Sequence, residues 1–469
     1  MKTIVVLCDS LRRDYLECYP EVKLEGSIEQ KVNTPNINQF AEKATVFDRA
    51  YINSHPTGPF RREVWTGKVE FPHRGWGALL DTDKTFARLL GEKDVTSMLI
   101  TDNYAITDAS YGIQSKYTVA NPGHTGNYQQ WFTGWHLVRG HQSDRWWPSH
   151  REVELPCAPE KLRGGAHRMK LYLQENFGRR FEKDWSTAQV FQTAIDWLEE
   201  NYKRDDFVLW IDSFSPHEPY DPPGYYEDMY DPNYKGERVI FPNYGKTNFL
   251  KEKELEHIKA MYAGTVSMVD HWFGFLMEAV RNMGLLEDTM IIFTSDHGHL
   301  LGDHEMVGKP GMGSDPDGLL WEGIADIPLI IYNPADQIER NNSLVQAVDL
   351  FPTIMEHMQA EIPDNIDGGS LLPLLDSSQN KVRDLGLYSR HGDSVNVTDG
   401  RYTLFLVDPE KHEGNSRLYD LKNDPLQKEN IIDKEKQLAE EFKKFAIDYL
   451  KEKNAEDSIL EIAKNAIVS

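Results

Sequence analysis

The chain has 469 residues, 40% hydrophobic and 27% charged, enough for a large domain plus a smaller one and ordinary for a globular protein. A formal net charge of −24 repels nucleic acid and anionic membrane surfaces, so an anionic substrate must be gathered by a local positive site. Three cysteines (Cys8, Cys18, Cys157) cannot build a disulfide framework, the apolar run before Cys8 is too short for a signal-peptide core, and no stretch reaches the roughly 18 apolar residues of a membrane span. A soluble, cytoplasmic protein is expected, with no nucleic-acid or membrane partner and with homo-oligomer formation open.

The run TIVVLCDS (3–10) is apolar and ends in a polar step, as a buried parallel strand does when it delivers a carboxylate to its C-terminal end. A helical pattern over 34–44 follows, then NSHPTGPFRREVWTG (53–67), then a helical pattern over 85–93 and an apolar run over 96–101. Residues 105–160 are rich in Gly, Trp, His and Asn and carry no regular pattern. Within them, the aromatic segment 127–147 either stacks on a sugar or aryl ring or fills the core, and Arg139, His141, Asp144 and Arg145 are its pocket candidates. A helical pattern (186–202) leads to the run FVLWIDSF (207–214) and a Pro-, Tyr- and Asp-rich stretch (215–250). A long helical pattern over 253–284 is expected to kink or break near Gly264, and apolar runs return at 289–298 and 328–333.

Strands alternating with helices predict an α/β fold with a large, mostly parallel sheet flanked by helices. Ligands of such sheets sit beyond the carboxyl ends of the strands. After about residue 380, LGLYSRHG, YTLFLVD and SRLYDL read as short antiparallel strands, followed by a charged helix near 433–453 that packs on its own domain or on a neighbour. The expected division is a catalytic domain over 1–378 and a small antiparallel-sheet plus helix domain over 379–469.

Three strand ends carry chemistry: Asp9 with Ser10, Asp212 five residues before His217, and Asp296-His297-Gly298. Carboxylate and imidazole groups held there suit one hard or borderline divalent cation, Mn²⁺, Zn²⁺, Ca²⁺ or Mg²⁺. Asp9, Asp296 and His297 form the leanest ligand set, which Thr57 can complete. A lone strand-end Asp also reads as a helix cap, and Thr57 also reads as a turn residue between two prolines. The chemical reading is that Thr57 is a nucleophile: a cation lowers the pKa of bound water from 15.7 to roughly 7, and an alcohol gains by the same physics. Arg61, one turn on, then holds the nucleophile or clamps an anionic oxygen with its planar fork.

The segment SHPTGPFRREVWTG resembles the active-site motif of the sulfatase family in the alkaline phosphatase superfamily, Cys-x-Pro-x-Arg followed by Leu-Thr-Gly. TPNINQFAEKATVFDRAY, DHWFGFLMEAVRNMGLLEDTMIIFTSDHGHLLGDHEMVGK, AVDLFPTIMEH and SRLYDLKNDPLQKENI match further family segments in the same order. The resemblance implies that Asp9, Asp296 and His297 bind one divalent metal ion and that Thr57 occupies the formylglycine position. It also implies that Arg61, His217 and Lys309 stabilise the anion and help the leaving group. His299 and His304 read as structural or supporting.

Two departures shape the expected activity. Threonine cannot be converted to formylglycine. Ser10 stands where many members have a metal-binding aspartate, and LITDNYAIT (99–107) replaces the usual Gly-Lys-Trp-His, with Tyr104 and Thr107 able to supply hydroxyl contacts. These features resemble the phosphonate monoester hydrolase and phosphodiesterase branch. The expectation is hydrolysis of phosphodiesters or phosphonate monoesters, small anionic esters, through Thr57 as a metal-bound nucleophile. The alternatives are a sulfuric ester hydrolase and a catalytically inactive, sulfatase-like binding protein. A second metal at Asp212 and His217 is disfavoured because Lys309 would crowd it.

Overall fold

The apolar runs become strands of one eight-stranded sheet. In chain order these are β1 (Lys2–Cys8), β2 (Thr45–Tyr51), β3 (Thr96–Thr101), β4 (Gly134–Leu137), β5 (Phe207–Ser213), β6 (Thr289–Ser295), β7 (Leu329–Tyr332) and β8 (Arg340–Gln346). Across the sheet they lie in the order β8–β2–β7–β6–β1–β5–β3–β4. Every neighbouring pair is parallel except those of β7, which runs antiparallel to both β2 and β6. The computed structural model describes residues 1–20, 23–107, 127–142, 144, 146–147, 149–310, 318–335, 340–410 and 414–468. Of the pocket candidates, Arg145 lies outside the described residues.

Side chains alternate across a strand, so a strand buried on both faces must be apolar throughout. In β1, Ile4, Val6 and Cys8 enter one core with Phe191, Ala194 and Leu198 of a helix over Ser186–Asn201 and with Ile258, Met261 and Val269 of a helix over Glu252–Asn282. Val5 and Leu7 enter the opposite core with Phe60, Val64 and Trp65 of α1 (Thr57–Thr66) and with Phe351 and Ile354 of a helix over Leu350–His357. The helices over Ser186–Asn201, Glu252–Asn282 and Leu350–His357 are α2, α3 and α4. Layers of helix, sheet and helix result, as the alternating pattern predicts.

Contrary to the sequence expectation, α3 runs unbroken through Gly264. A Cβ at Gly264 would lie 3.0 Å from the Tyr226 carbonyl oxygen and 3.2 Å from Pro222 Cγ. The glycine therefore lets the 222–226 segment approach the helix, and it breaks nothing.

Four further strands, β9 (Gly386–Arg390), β10 (Val395–Thr398), β11 (Tyr402–Leu406) and β12 (Arg417–Asp420), form an antiparallel meander. Helices α5 (Lys436–Glu452) and α6 (Asp457–Asn465) pack on it through Ala439, Phe442, Ala446, Leu450, Ile459 and Ile462. The charged helix thus covers its own sheet. The meander has a fifth member: Ser54–His55 pairs in parallel with β9, Ser54 opposite Ser389 and His55 opposite Arg390. Among the described residues, no helix is long and apolar enough to cross a membrane.

Candidate active site

The parallel neighbours β6, β1, β5 and β3 end side by side, so the polar residues at their carboxyl ends converge. They bring Asp296 and His297, Asp9 and Ser10, Asp212, and Asn103 together, all fully buried. Thr57, also buried, opens α1, where unpaired backbone N–H groups and the helix dipole favour negative charge.

Arg61 lies at the centre of these groups. Its Nε and Nη2 donate to the two oxygens of Asp212 at 2.7 and 2.8 Å. Nη1 donates to Asp296 Oδ2 at 2.7 Å and to the Thr57 carbonyl at 2.9 Å, and Nη2 donates to Asp9 Oδ2 at 3.2 Å. A guanidinium has five N–H bonds, and these five contacts use them all. Of the two expected roles, holding the nucleophile or clamping an anionic oxygen, this geometry corresponds to the first. Arg61 ties the backbone of Thr57 to three carboxylates. Both oxygens of Asp212 are held by Arg61.

Ser10 adopts the left-handed region (φ 64°). Its amide donates to Asp296 Oδ1 and its hydroxyl to Asp9 Oδ1, both at 2.9 Å. Asn103 Nδ2 lies 3.4 Å from Asp9 Oδ2. His297 donates Nδ1–H to the Gly298 carbonyl at 2.7 Å, which leaves the Nε2 lone pair facing the carboxylates, 3.6 Å from Asp296 and 4.0 Å from Asp9. Lys309 Nζ is 3.1 Å from that Nε2 and 3.8 Å from Asp9 Oδ1. One ligand atom each from Asp9, Asp296 and His297 lie within 4.8 Å of one another.

Electrostatics mark this cluster as built for positive charge. Burial pushes Asp9 well above the ordinary carboxylate range, and Asp296 beside it adds to the shift. Against the same burial, His297, Arg61 and Lys309 hold Asp296 below that range. Burial lowers His297 to about 3, so its imidazole is neutral and able to ligate. Two carboxylates and a neutral imidazole, all dry, are the donor set a divalent cation takes. These residues fit the implied metal.

His217 donates Nδ1–H to the Glu218 carbonyl at 2.8 Å, and its ring packs 4.3 Å from that of Phe214. Glu218, fully buried, receives Arg163 at 2.7 Å and the Tyr244 hydroxyl at 2.5 Å. His299 stands behind it, Nε2 3.3 Å from Glu218 and Nδ1 2.8 Å from the Tyr220 hydroxyl. His304 is elsewhere, stacked on Trp321 at 3.7 Å.

Other candidates find partners outside the cluster. The Thr107 hydroxyl donates to the Tyr104 carbonyl at 3.3 Å, and the Tyr104 hydroxyl donates to Gln142 at 3.0 Å. Arg139 and Asp144 pair with each other at 2.6 Å. His141 packs 4.7 Å from the Phe214 ring. Sequence reasoning passed over Asn103, Glu218 and His55. The last is a buried ring 4.9 Å from His297 whose nitrogens have no protein partner. Asn103 follows strand β3 by two residues, the same kind of position that singled out Asp9. Glu218 carries no signal beyond adjacency to His217.

The α/β sheet thus presents a buried carboxylate–imidazole group that could hold a metal ion, tied through Arg61 to the backbone of Thr57 at a helix N-terminus. The family model described as Sulfatase matches residues 2–360, and the chain belongs to that family. A second model, N-sulphoglucosamine sulphohydrolase, C-terminal, matches residues 317–453. The chain is 29% identical over 285 residues to the Arylsulfatase of Clostridium perfringens, covering 56% of each, so it spans about half the length of that relative. It is 25% identical over 448 residues to Arylsulfatase K of Canis lupus familiaris, covering 86% of this chain and 75% of that one. The fold matches the phosphonate monoester hydrolase of Agrobacterium radiobacter with a TM-score of 0.72 at 20% identity, covering 96% and 95% of the two chains.

Proposed function

We propose that the protein is a metal-dependent hydrolase of phosphodiesters or phosphonate monoesters with Thr57 as the nucleophile. The observation that supports this reading is Arg61, which ties the Thr57 backbone directly to the carboxylates of the Asp9–Asp296–His297 donor set. Those three residues would hold the cation, and Arg61 links them to the Thr57 backbone. When bound, a divalent cation makes a nearby hydroxyl more acidic and neutralises charge that develops on the ester.

Charge bookkeeping supports a singly charged substrate. Asp9, Asp212 and Asp296 against Arg61 and Lys309 leave one net negative charge, which a dication turns into one net positive. That matches the monoanion of a phosphodiester, a phosphonate monoester or a sulfate ester better than a dianionic phosphate monoester. Thr57 Oγ attacks phosphorus and forms the new P–O bond as its hydroxyl proton passes to solvent water. Lys309 and the first amides of α1 receive the anionic oxygens. The bond to the leaving oxygen breaks, and His217 Nε2 supplies its proton. Water then cleaves the covalent threonine ester. Three cysteines without disulfides and a strongly acidic chain support a cytoplasmic setting and a small anionic ester as partner.

A second reading, sulfate-ester hydrolysis, is favoured by the relatives named Arylsulfatase. Both are tested by assaying the purified protein with Mn²⁺ or Zn²⁺ on 4-nitrophenyl phosphodiester, phosphonate and sulfate substrates, alongside Thr57→Ala. The proposal expects phosphorus esters to turn over faster and Thr57→Ala to lose at least about 10³-fold. Faster sulfate turnover moves the assignment to the second reading, and full activity in Thr57→Ala removes Thr57 as nucleophile.

A further inference from the structure

Glu218 is a buried carboxylate that neither the metal cradle nor the nucleophile uses. Its two oxygens have different surroundings. Oε1 is bound by Arg163 Nη1 at 2.7 Å and by the Tyr244 hydroxyl at 2.5 Å. Oε2 faces two imidazoles, His217 Nδ1 at 3.2 Å and His299 Nε2 at 3.3 Å. The backbone carbonyl of Glu218 also takes the Nδ1 proton of His217 at 2.8 Å. A carbonyl only accepts, so Nδ1 must carry the hydrogen. Nε2, at the opposite edge of the ring, is then the nitrogen that exchanges a proton with the substrate.

We propose that the Glu218 carboxylate is the positioning group that supports the imidazolium form of His217, whose tautomer the Glu218 backbone carbonyl already sets, so that Nε2 can deliver a proton to the leaving oxygen. This rests on the hydrolase reading, in which the leaving oxygen departs as the Thr57–phosphorus bond forms. The proton moves from Nε2 to that oxygen, the ring becomes neutral, and Glu218 stays ionised throughout. The surroundings of His217 show why a fixed anion is needed. Burial drives the ring towards its neutral form, and Lys309 and Arg163 push the same way. Phe214 covers one side and His141 lies beyond it, while His299 faces His217 from across Glu218 at a ring separation of 6.4 Å. Glu218 is the anion that opposes them. When the anionic ester arrives, the ring lies between two negative charges, and the permanent one is Glu218. The carboxylate is itself held ionised: against its own burial, His217, His299 and Arg163 keep it well below the ordinary range.

The test separates this role from loop support by varying the leaving group. Glu218→Gln keeps the shape of the side chain and one acceptor oxygen, replaces the other with an NH2 donor, and removes the charge. Two aryl esters of one class are compared on the metal-loaded enzyme, one leaving as 4-nitrophenolate, which needs little protonation, and one as phenolate, which needs more. Phosphonates are used, or the matched sulfates if those are the faster substrates. The proposal expects kcat for the phenyl ester to fall about 10–100-fold in Glu218→Gln while the 4-nitrophenyl ester changes less than about threefold. The 4-nitrophenyl rate also reports that the variant is folded. If Glu218→Gln does not accumulate, Glu218→Asp is read instead, and an intermediate ratio is expected because the charge is drawn back by one methylene. Equal losses on both esters overturn the proposal. His217→Ala is run in parallel. If it discriminates between the esters and Glu218→Gln does not, the inference about Glu218 fails alone. If His217→Ala does not discriminate, the leaving-group role of His217 fails with it.

Discussion

Arg61→Met strips positive charge from among three buried carboxylates while keeping much of the side-chain volume. Both oxygens of Asp212 lose their partner, and Asp9 and Asp296 each lose one contact. At an effective dielectric of about 20, each contact near 2.7 Å represents about 6 kcal/mol of gross attraction, most of it offset by desolvation. Removing one partner of a buried pair costs about 3–5 kcal/mol net, because the other charge stays buried. We expect a loss of that size in urea denaturation at pH 8 with EDTA present. The loss should shrink towards pH 5.5, where the orphaned carboxylates take up protons in the folded state. Added Mn²⁺ should recover part of it, since a cation in the cradle compensates two of the three carboxylates. Adding Asp212→Leu removes the most exposed consequence, so the double variant should be more stable than Arg61→Met alone by about 2 kcal/mol. A single-variant loss under about 1 kcal/mol, or no recovery in the double variant, refutes the account of Arg61 as the tie between the strand ends.

Ser10→Asp places a third carboxylate beside Asp9 and Asp296 at a left-handed position that Asp tolerates. It should lower stability in EDTA and enlarge the thermal shift on adding Mn²⁺, where a hundredfold excess over Kd contributes about 2.7 kcal/mol. Glu322 is raised to about 7 by burial, against the opposing pull of the Tyr51 hydroxyl and Arg13. Between its unfolded value near 4.5 and about 7 the folded state holds the extra proton, so stability falls as pH rises through that window, by about 3 kcal/mol. Glu322→Gln should flatten the dependence, as read by denaturation at pH 5 and pH 8. Gly264→Val forces a branched side chain against the Tyr226 carbonyl and should cost about 2–3 kcal/mol by the same method, despite the gain in helix propensity.

What the sequence discloses follows from how local each feature is. Continuous apolar runs such as TIVVLC reveal central strands because both faces are buried, and the α/β class follows from their alternation with helices. Direction is not written in such a run: LIIY has the same texture as its parallel neighbours yet runs antiparallel to both. β4 (GWHL) went unseen because it is an edge strand with Trp135 and His136 exposed, so it has no apolar run to detect. Asp9, Asp296 and His297 were legible because each follows its strand directly. The links from Arg61 to three carboxylates were not, since four of its five N–H groups reach strand ends scattered from residue 9 to residue 296. Glu218 was hidden for the same reason: its partners Arg163, Tyr244 and His299 meet only in the folded chain.

The C-terminal sheet belongs in the chemistry as well as in the fold. A nucleophile must be held to a fraction of an ångström to benefit from proximity, and Thr57 follows a short segment that no helix or central strand contains. That segment is fixed from three directions. Ser54–His55 adds to the sheet beside β9, with the Ser389 amide on the Asn53 carbonyl at 2.8 Å. Glu63, nearly two helical turns beyond Thr57 in α1, accepts from the amides of Asn53 and Ser54 at 3.2 and 3.1 Å. The Ser54 hydroxyl accepts from the amides of Glu70 and Phe71 at 3.0 and 2.9 Å, closing the loop after the helix back onto its entry. Arg61 then fixes the far side by binding the Thr57 carbonyl. Residues more than 300 positions apart therefore set where one hydroxyl points, and a division of the chain near residue 379 separates the nucleophile from part of its own support.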